Sequence, residues 1–277
     1  MLICFTSDLH GDAALYEQLE DLLRAARPEL LILGGDLLPD GDRHDPLGTQ
    51  VAWLESRFMP MLRRWRTTHP QLTIACLPGN HEWSCARDAL RRHHAAGQVV
   101  LLNHREPWQH AGLHFLGFGE TPPTPHWLKD FERLDQVGDG IPPFPGVIWD
   151  GQGVREVDLE QHFRGRDTLD DLLSRAPAVP APWVFVAHAP PHDSTLDRLE
   201  KVSRPIGSRA VRRFIEQRRP YLSLHGHVHE SPRVSGRCWD RIGPTLCVNP
   251  GQDHERLQAV LLDSERPEET LRHVIWS

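Results

Sequence analysis

Five short polar clusters each directly follow an apolar segment, and this repeated pairing constrains the fold more than any other feature of the chain. The apolar segments have the length of β-strands, and the clusters supply His, Asp and Asn side chains. In an open α/β sheet, the segments beyond the carboxyl ends of the strands meet at one edge. We therefore expect the clusters to converge. They are Asp8 with His10, Gly35 with Asp36, the run Gly79 to Glu82, His188, and Gly226 with His227 and His229.

Strand-like and helix-like segments alternate along the chain, which predicts an α/β layered domain with mixed sheets and helices on the outer faces. The predicted strands are 2–6, 30–33, 72–77, 99–102, 113–118, 183–187 and 221–224, with a β-rich finish over 233–275. The predicted helices are 13–26, 49–68, 86–95, 167–175 and a segment ending at Arg218. Pro60 should kink or break the second helix, and Ser208 is a plausible N-cap for the last one.

We interpret residues 1–277 as one domain that carries an insertion at about 119–165, rich in proline and tryptophan. The insertion is expected to have little regular structure, and long loops of this kind are usually functional or disordered. Its aromatic residues have two equally good explanations: they stack on a nucleobase at the rim of the site, or they anchor the loop to the core. These residues are Trp127, Phe131, Phe144 and Trp149.

Composition excludes several classes of protein. The net charge is −7, from 31 Lys and Arg against 38 Asp and Glu, which argues against stable binding to duplex nucleic acid. Basic clusters near Arg63, Arg91 and Arg212 are best explained as solvated helix faces. No apolar run approaches the roughly 18 residues of a membrane span. The N-terminus leads directly into Asp8, and the 5 cysteines form no CxxC pair, so we expect a cytoplasmic protein without a signal peptide.

The residue types in the clusters suit metal binding. In extended backbone, residues i and i+2 point to the same side, so Asp8 and His10 could share one metal, as could His227 and His229. The Asp36 carboxylate could bridge two cations, and Asn80 offers a neutral oxygen. Each cluster alone is weak evidence, with the paired histidines the strongest. Together they predict two adjacent divalent metals. We assign no metal to His225, His44, His93 or His94, and expect packing or a supporting role for His225.

At this point the sequence resembles the calcineurin-like metallophosphoesterase superfamily, whose motifs match the five clusters in order. A narrower resemblance is to small phosphodiesterases of the Icc and MPPED type, carried by the segments His188–Pro191, Gly207–Ser208 and His225–Glu230. The resemblance implies a four-layered αββα sandwich, with two mixed β-sheets flanked by helices.

The resemblance also implies roles for individual residues. Asp8, His10, Asp36 and His229 would hold one metal, and Asp36, Asn80, His188 and His227 the other. A hydroxide shared by the two metals would attack phosphorus in line, and His81 would act as the general acid. In the phosphoprotein phosphatases, an Asp three residues after the bridging Asp orients this acid. Here Pro39 occupies that position, and Asp40 is the nearest substitute.

The expected function is a metal-dependent phosphoric ester hydrolase that cleaves phosphodiesters, with phosphomonoesters as an additional option. The alternatives are a non-catalytic metal-binding scaffold for protein interaction, or a nucleotide pyrophosphatase or nuclease of the same superfamily. Mn²⁺ is favoured for reconstitution, with Fe and Zn also suited to this ligand set. The expected partner is a small phosphoester, with a nucleotide one option. The sequence leaves the physiological substrate and the oligomeric state open.

Overall fold

Two six-stranded mixed β-sheets form the centre of the computed structural model, which describes residues 1–276. The strands are β1 Leu2–Thr6, β2 Leu30–Leu33, β3 Thr73–Cys76, β4 Val100–Leu101, β5 Trp108–His110, β6 Leu113–Phe118, β7 Gly146–Trp149, β8 Val154–Val157, β9 Trp183–Ala187, β10 Leu222–Leu224, β11 Trp239–Ile242, β12 Thr245–Val248, β13 Leu257–Asp263 and β14 Arg272–Trp276. The helices are α1 Ala13–Ala26, α2 Met59–Thr68, α3 Ser84–Ala95, α4 Leu159–Arg164, α5 Leu169–Ser174, α6 Arg209–Arg218, α7 Ser231–Ser235 and α8 Pro267–Thr270.

Each sheet has a parallel centre and antiparallel edges. The first has the order β14-β13-β1-β2-β3-β4, with β1 to β4 parallel. The second has the order β11-β12-β10-β9-β6-β5, with β12, β10, β9 and β6 parallel. Thr6 lies beside Leu33, and Leu33 beside Cys76, so the carboxyl ends of β1, β2 and β3 are level. The polar clusters that follow these strands therefore begin at the same edge.

Successive side chains of each strand point to opposite faces of its sheet, so each sheet packs on both sides and four layers result. One face of each sheet contributes to a shared apolar core, where Phe5 and Ile32 of the first sheet meet Val184 and Leu224 of the second. The opposite face of the first sheet packs against α1, α2 and α3. The outer face of the second sheet packs against α5 and α6. This arrangement confirms the predicted αββα sandwich.

Helix α1 shows why the sequence prediction was accurate here. The Asp12 side chain accepts hydrogen bonds from the backbone N–H groups of Ala14 and Leu15, which satisfies donors at the helix start. Its buried leucines face the first sheet. Ser208 likewise caps α6 by accepting from the N–H of Val211, as predicted.

The predicted helix at 49–68 requires a correction. Two π-helical turns, Leu47–Val51 and Leu54–Phe58, precede α2 and begin the helical segment earlier than expected. Pro60 does not break it, since the second π-helical turn runs directly into α2 and the backbone stays helical on both sides of Pro60. The first π-helical turn buries Gln50, whose side chain reaches toward the site.

The prediction of little regular structure in the insertion was wrong for its second half. Strands β7 and β8 form an antiparallel hairpin, and α4 follows. Phe131 is buried, Trp127 packs against Trp83 with ring centroids 5.5 Å apart, and Trp149 also packs against the core. These three aromatics therefore anchor the insertion, while Phe144 is exposed. Within residues 1–276, no helix is both long enough and apolar enough to cross a membrane.

Candidate metal centre

Two groups of three side chains that share no residue form beyond the carboxyl ends of the strands, and a third group, of His10, Asp40 and His81, overlaps the first. Asp8, His10 and His229 offer ligand atoms that lie within 4.8 Å of one another. Asp36, His188 and His227 form a second such group. The groups adjoin, because Asp8 Oδ1 lies 3.9 Å from His188 Nε2. Seven of the eight predicted side chains, including His81, are thus linked by short contacts, and the eighth, Asn80, lies in the same loop as His81.

The backbone at these ligands differs from the expected extended form. Asp8, His10, Asp36 and His227 all have positive φ, at 60°, 46°, 52° and 67°. The argument that i and i+2 share a side of an extended strand was therefore wrong. Asp8 and His10 still converge, but His227 and His229 lie in different groups. Non-glycine residues with positive φ are uncommon and are enriched at functional sites. Here the left-handed residues turn each loop sharply just after its strand.

The loops after β1 and β2 stay paired beyond the sheet. The N–H of Asp8 donates to the carbonyl of Gly35 over 2.9 Å, and the N–H of His10 donates to the carbonyl of Asp36 over 2.9 Å. Glycine is required where the third loop approaches. A Cβ on Gly79 would collide with the Asp36 carboxylate and the His188 ring.

Glu82 organises the backbone under the site. Its fully buried carboxylate accepts hydrogen bonds from four backbone N–H groups, those of Asp36, Leu37, Leu38 and Gly79, over 2.6–3.0 Å. It thereby ties the loop after β3 to the loop after β2. The sequence singled out the run Gly79 to Glu82, but gave Glu82 no role of its own.

We expect Glu82→Gln to destabilise the protein by about 3 kcal/mol or more, because an amide cannot accept four bonds and leaves buried donors unsatisfied. Chemical denaturation monitored by circular dichroism measures this loss. Glu17→Gln, an exposed position on α1, is the matched control and should leave the unfolding midpoint unchanged. Equal stability of the two variants would contradict the role given to Glu82.

The unpaired polar atoms at the site fit a metal centre. Oδ1 of Asn80, Nδ1 of His10 and Nε2 of His188 are atoms that can bind a metal, and all three are buried without a hydrogen-bond partner. His188 Nε2 lies 3.1 Å from Asp36 Oδ2, yet the two lack hydrogen-bond geometry. Buried polar groups are normally satisfied, so unpaired atoms on converging elements favour a shared cation. Imidazole, carboxylate and amide donors are suitable ligands.

The charges at the site also favour a cation. Burial opposes ionisation of Asp8, but His229 and His188 outweigh it and lower the pKa of Asp8 to about 2. Burial opposes protonation of His188, but Asp36 and Asp8 outweigh it and raise the pKa of His188 to about 10. Burial, assisted by His188, lowers the pKa of His227 to about 3. Two buried carboxylates thus stay negative. Without a metal, protons on His188 and His229 would balance them, and a bound cation would take the place of those protons.

His81 lies at the exposed side of the two groups. Its Nδ1 lies 2.6 Å from Asp40 Oδ1, so Asp40 contacts His81 although Pro39 occupies the position expected for the orienting Asp. Its ring packs edge-on against His10, with centroids 4.8 Å apart. Burial disfavours the protonated ring, but the charges of Asp36 and Asp40 outweigh it and raise the pKa of His81 to about 9. A cation beside Asp36 would oppose that shift.

Three residues that support the site were not predicted from the sequence. His126, in the insertion, stacks on His81 with ring centroids 3.8 Å apart. Gln50 donates to the carbonyl of His81 over 2.7 Å, which fixes the loop that carries it. Asn249 donates to the carbonyls of Gly226 and Val228, which holds the loop of the paired histidines. None of the three adjoins a recognised motif, so the sequence held no signal for them.

The histidines to which we assigned no metal lie outside the groups of candidate ligands. His225 is buried, and its ring is paired with the Ser223 hydroxyl and the carbonyls of Ala187 and Ala189, as expected for a supporting residue. His93 contacts Glu55, and His44 is exposed.

A family model described as calcineurin-like phosphoesterase matches residues 1–231, which include every residue of both groups. The chain belongs to this family. The membership implies a phosphoric ester hydrolase that binds divalent metal. No curated protein matches significantly.

Two solved structures share the fold over 99–100% of this chain. One crystal structure has a TM-score of 0.63 at 16% identity, covering 100% of this chain and 99% of its own. TT1561 of Thermus thermophilus has a TM-score of 0.57 at 18% identity, covering 99% and 98%. An archaeal phosphodiesterase has a TM-score of 0.46 at 12% identity, covering 99% of both chains. At these identities the likeness to the first two structures concerns the fold alone.

Proposed function

We propose that this protein hydrolyses phosphodiesters with two divalent metals, and that His81 is the general acid. The observation that carries the proposal is the convergence of two complete groups of ligands, several of whose buried polar atoms lack any other partner. Family membership supplies the broader statement, that of a phosphoester hydrolase.

In this proposal, Asp8, His10 and His229 would hold one metal, Asn80, His188 and His227 would hold the other, and Asp36 would contribute to both. When bound, the two metals supply Lewis-acid stabilisation of phosphoryl oxygens and activate water at neutral pH. Mn²⁺ is the ion we propose for reconstitution, and Fe and Zn also suit these donors. The ring nitrogens of His188 are oriented for this role, since its Nδ1 lies 2.8 Å from the carbonyl oxygen of Gly34.

His81 is proposed to protonate the departing oxygen. Its contact with Asp40 engages Nδ1, which leaves Nε2 as the atom that delivers the proton. The carboxylates of Asp36 and Asp40 favour the protonated ring that an acid requires. His126 restricts the ring from one face by stacking on it. Asp40 is therefore a positioning residue that acts through His81.

A cleft of about 620 Å³ beside His227 is the proposed binding place for the ester substituents. Its walls come from the start of the insertion, including Pro123, and from the loop that contains Val202 and Arg204. Room for organic groups next to the ligands favours a diester over a simple phosphate. The insertion thus contributes to the substrate site through its prolines, while its half-buried tryptophans anchor it to the core.

Arg204 is the cleft residue best suited to bind a phosphoryl or other anionic group. Its side chain is exposed and makes no ion pair or hydrogen bond with any part of the chain that the structure covers. We expect Arg204→Ala to raise KM by about tenfold with little change in kcat, since the contact forms equally in ground and transition states. Lys201→Ala, in the same loop but outside the cleft, is the control for steady-state kinetics. Equal KM values for the two variants would remove Arg204 from substrate binding.

A non-catalytic scaffold is the competing proposal, and a nucleotide pyrophosphatase or nuclease is the alternative within the enzyme class. The complete ligand set and the Asp40–His81 pair favour catalysis, because a scaffold has no need for either. The net charge of −7 disfavours a nuclease that acts on duplex nucleic acid. The five cysteines are free and buried, which suits the proposed cytoplasmic location.

Hydrolysis assays with a panel of metals and substrates test the proposal. The metals are Mn²⁺, Fe²⁺ and Zn²⁺. The substrates are bis-p-nitrophenyl phosphate, p-nitrophenyl phosphate, a cyclic nucleotide and a dinucleotide. We expect metal-dependent cleavage with the diester preferred over the monoester. Preference for the monoester would contradict the diesterase proposal, and a metal-loaded protein that cleaves none of them would favour the scaffold.

A further inference from the structure

A second cavity, of about 710 Å³, lies beside the sheets and contains none of the proposed metal ligands. It opens where β4 and β6 end, between α3, the insertion and the segment joining α4 to α5. Its lining includes five arginines and only three carboxylates. The arginines are Arg87, Arg91, Arg105, Arg133 and Arg166, and the acids are Glu106, Glu120 and Asp167.

Few of the positive charges of these arginines are balanced by a neighbouring carboxylate. Within residues 1–276, only Arg91 among the five comes within 4.0 Å of a carboxylate, that of Asp88. Asp167 is paired with Arg175, which lies outside the cavity. Glu120 is the most buried of the three acids, and its nearest basic partner is His104, at 3.8 Å. The cavity therefore carries excess positive charge.

Arg87 is fixed in position and has an unpaired donor. Its guanidinium carbon lies 4.4 Å from the centre of the Phe131 ring, which fixes it by a cation–π contact. Its Nε is buried without a hydrogen-bond partner. Arg133 and Arg166 donate to backbone carbonyls of the insertion through their terminal nitrogens, and Arg166 also contacts His162 Nε2 over 2.6 Å. These contacts leave the Nε groups of both arginines without a partner in the described part of the chain.

The electrostatics agree with this geometry. Burial, together with the charge of Arg133, lowers the pKa of the Arg166 guanidinium to about 9. Burial also lowers the pKa of Arg133 and of Arg87. Burying charges without partners is costly, so a bound anion would relieve an existing electrostatic penalty on the fold. A planar guanidinium group can donate two parallel hydrogen bonds to two oxygens of one phosphoryl group.

We propose that this cavity binds the phosphoryl group of a small phosphorylated molecule, at a site separate from the metal centre. The volume lies within the range typical of small-molecule sites and exceeds what a free phosphate needs. Leu102 and Leu172 line it together with the arginines, so an organic substituent has an apolar surface to contact. This proposal does not depend on the proposed hydrolysis.

Calorimetric titration of the metal-loaded, full-length protein tests the site with two probes, inorganic phosphate and phenylphosphonate, which has no ester bond to hydrolyse. Because either probe can also bind at the metal centre, the variants are compared by the number of binding events per chain. We expect Arg87→Gln to weaken one of these events by about tenfold or more relative to wild type. Turnover of bis-p-nitrophenyl phosphate should remain within about twofold of wild type.

Arg92→Gln is the matched control, since Arg92 is exposed on the same helix and does not line the cavity. Arg105→Gln, on an exposed loop at the cavity, is a second test variant that leaves the core intact. Tighter binding of phenylphosphonate than of phosphate would support a ligand with an organic substituent. Tighter binding of phosphate would overturn the proposal that the ligand carries such a substituent. Identical titrations for wild type, Arg87→Gln and Arg105→Gln would overturn the site itself.

Discussion

Asp36→Asn should lower the occupancy of both metals and reduce kcat/KM by about 10²-fold or more. The Asp36 carboxylate lies 3.1 Å from His188 Nε2, and its other oxygen accepts the N–H of His81 over 2.9 Å. An amide keeps the shape but removes the charge and one lone-pair-bearing oxygen. Loss of several kcal/mol of charge stabilisation corresponds to this fall in rate.

Elemental analysis and steady-state kinetics on the same samples measure both effects. Asp21→Asn, an exposed carboxylate on α1, is the control and should retain wild-type metal content. If Asp36→Asn binds two metals per chain and turns over at the wild-type rate, Asp36 is not the shared ligand. If only one metal is lost, Asp36 belongs to a single group.

His81→Ala should keep both metals and lose activity mainly on substrates with poor leaving groups. A positioned acid contributes about 10²–10⁴-fold, and this contribution matters least when the leaving group is already stable as an anion. We therefore expect a large loss for an alkyl diester and a small loss for bis-p-nitrophenyl phosphate. Kinetics on both substrates, with metal content measured in parallel, give the result. His254→Ala, at an exposed position, is the control. Equal losses on the two substrates would remove His81 as the acid.

Asp40 provides an independent check on this assignment. If it acts through His81, Asp40→Asn should reduce activity in the wild-type background and have no further effect in His81→Ala. It should also move the upper pH limit of alkyl diester cleavage to lower pH. The reason is that Asp40 raises the pKa of His81, so its removal lets the ring lose its proton at lower pH. Additive losses in the double variant would mean that Asp40 has a separate role.

Much of the fold could be predicted because its signals are local. The buried strands Leu30–Leu33 and Trp183–Ala187 are short apolar runs, and α1 has both a cap at Asp12 and leucines at helical spacing. The ligand clusters follow such strands directly. Parallel pairing then brings them to one edge, so their convergence follows from the order of strands and clusters along the sequence.

The rest of the site depends on contacts between distant segments. The left-handed backbone at Asp8 and Asp36 results from pairing of two loops, which no local pattern encodes. His126 and Gln50 reach His81 from the insertion and from a π-helical turn. The hairpin β7–β8 was obscured by surrounding prolines and glycines, which usually indicate irregular structure. The arginine-lined cavity likewise assembles from separated segments, none of which carries a recognisable motif by itself.

Titration of metal-stripped protein with Mn²⁺ tests the central claim most directly. Bound metal per chain and the rate of bis-p-nitrophenyl phosphate hydrolysis are measured on the same samples. We predict negligible hydrolysis without metal and a rate that rises until two ions are bound per chain. Two bound ions without hydrolysis, or full activity in the stripped protein, would contradict a two-metal phosphoesterase.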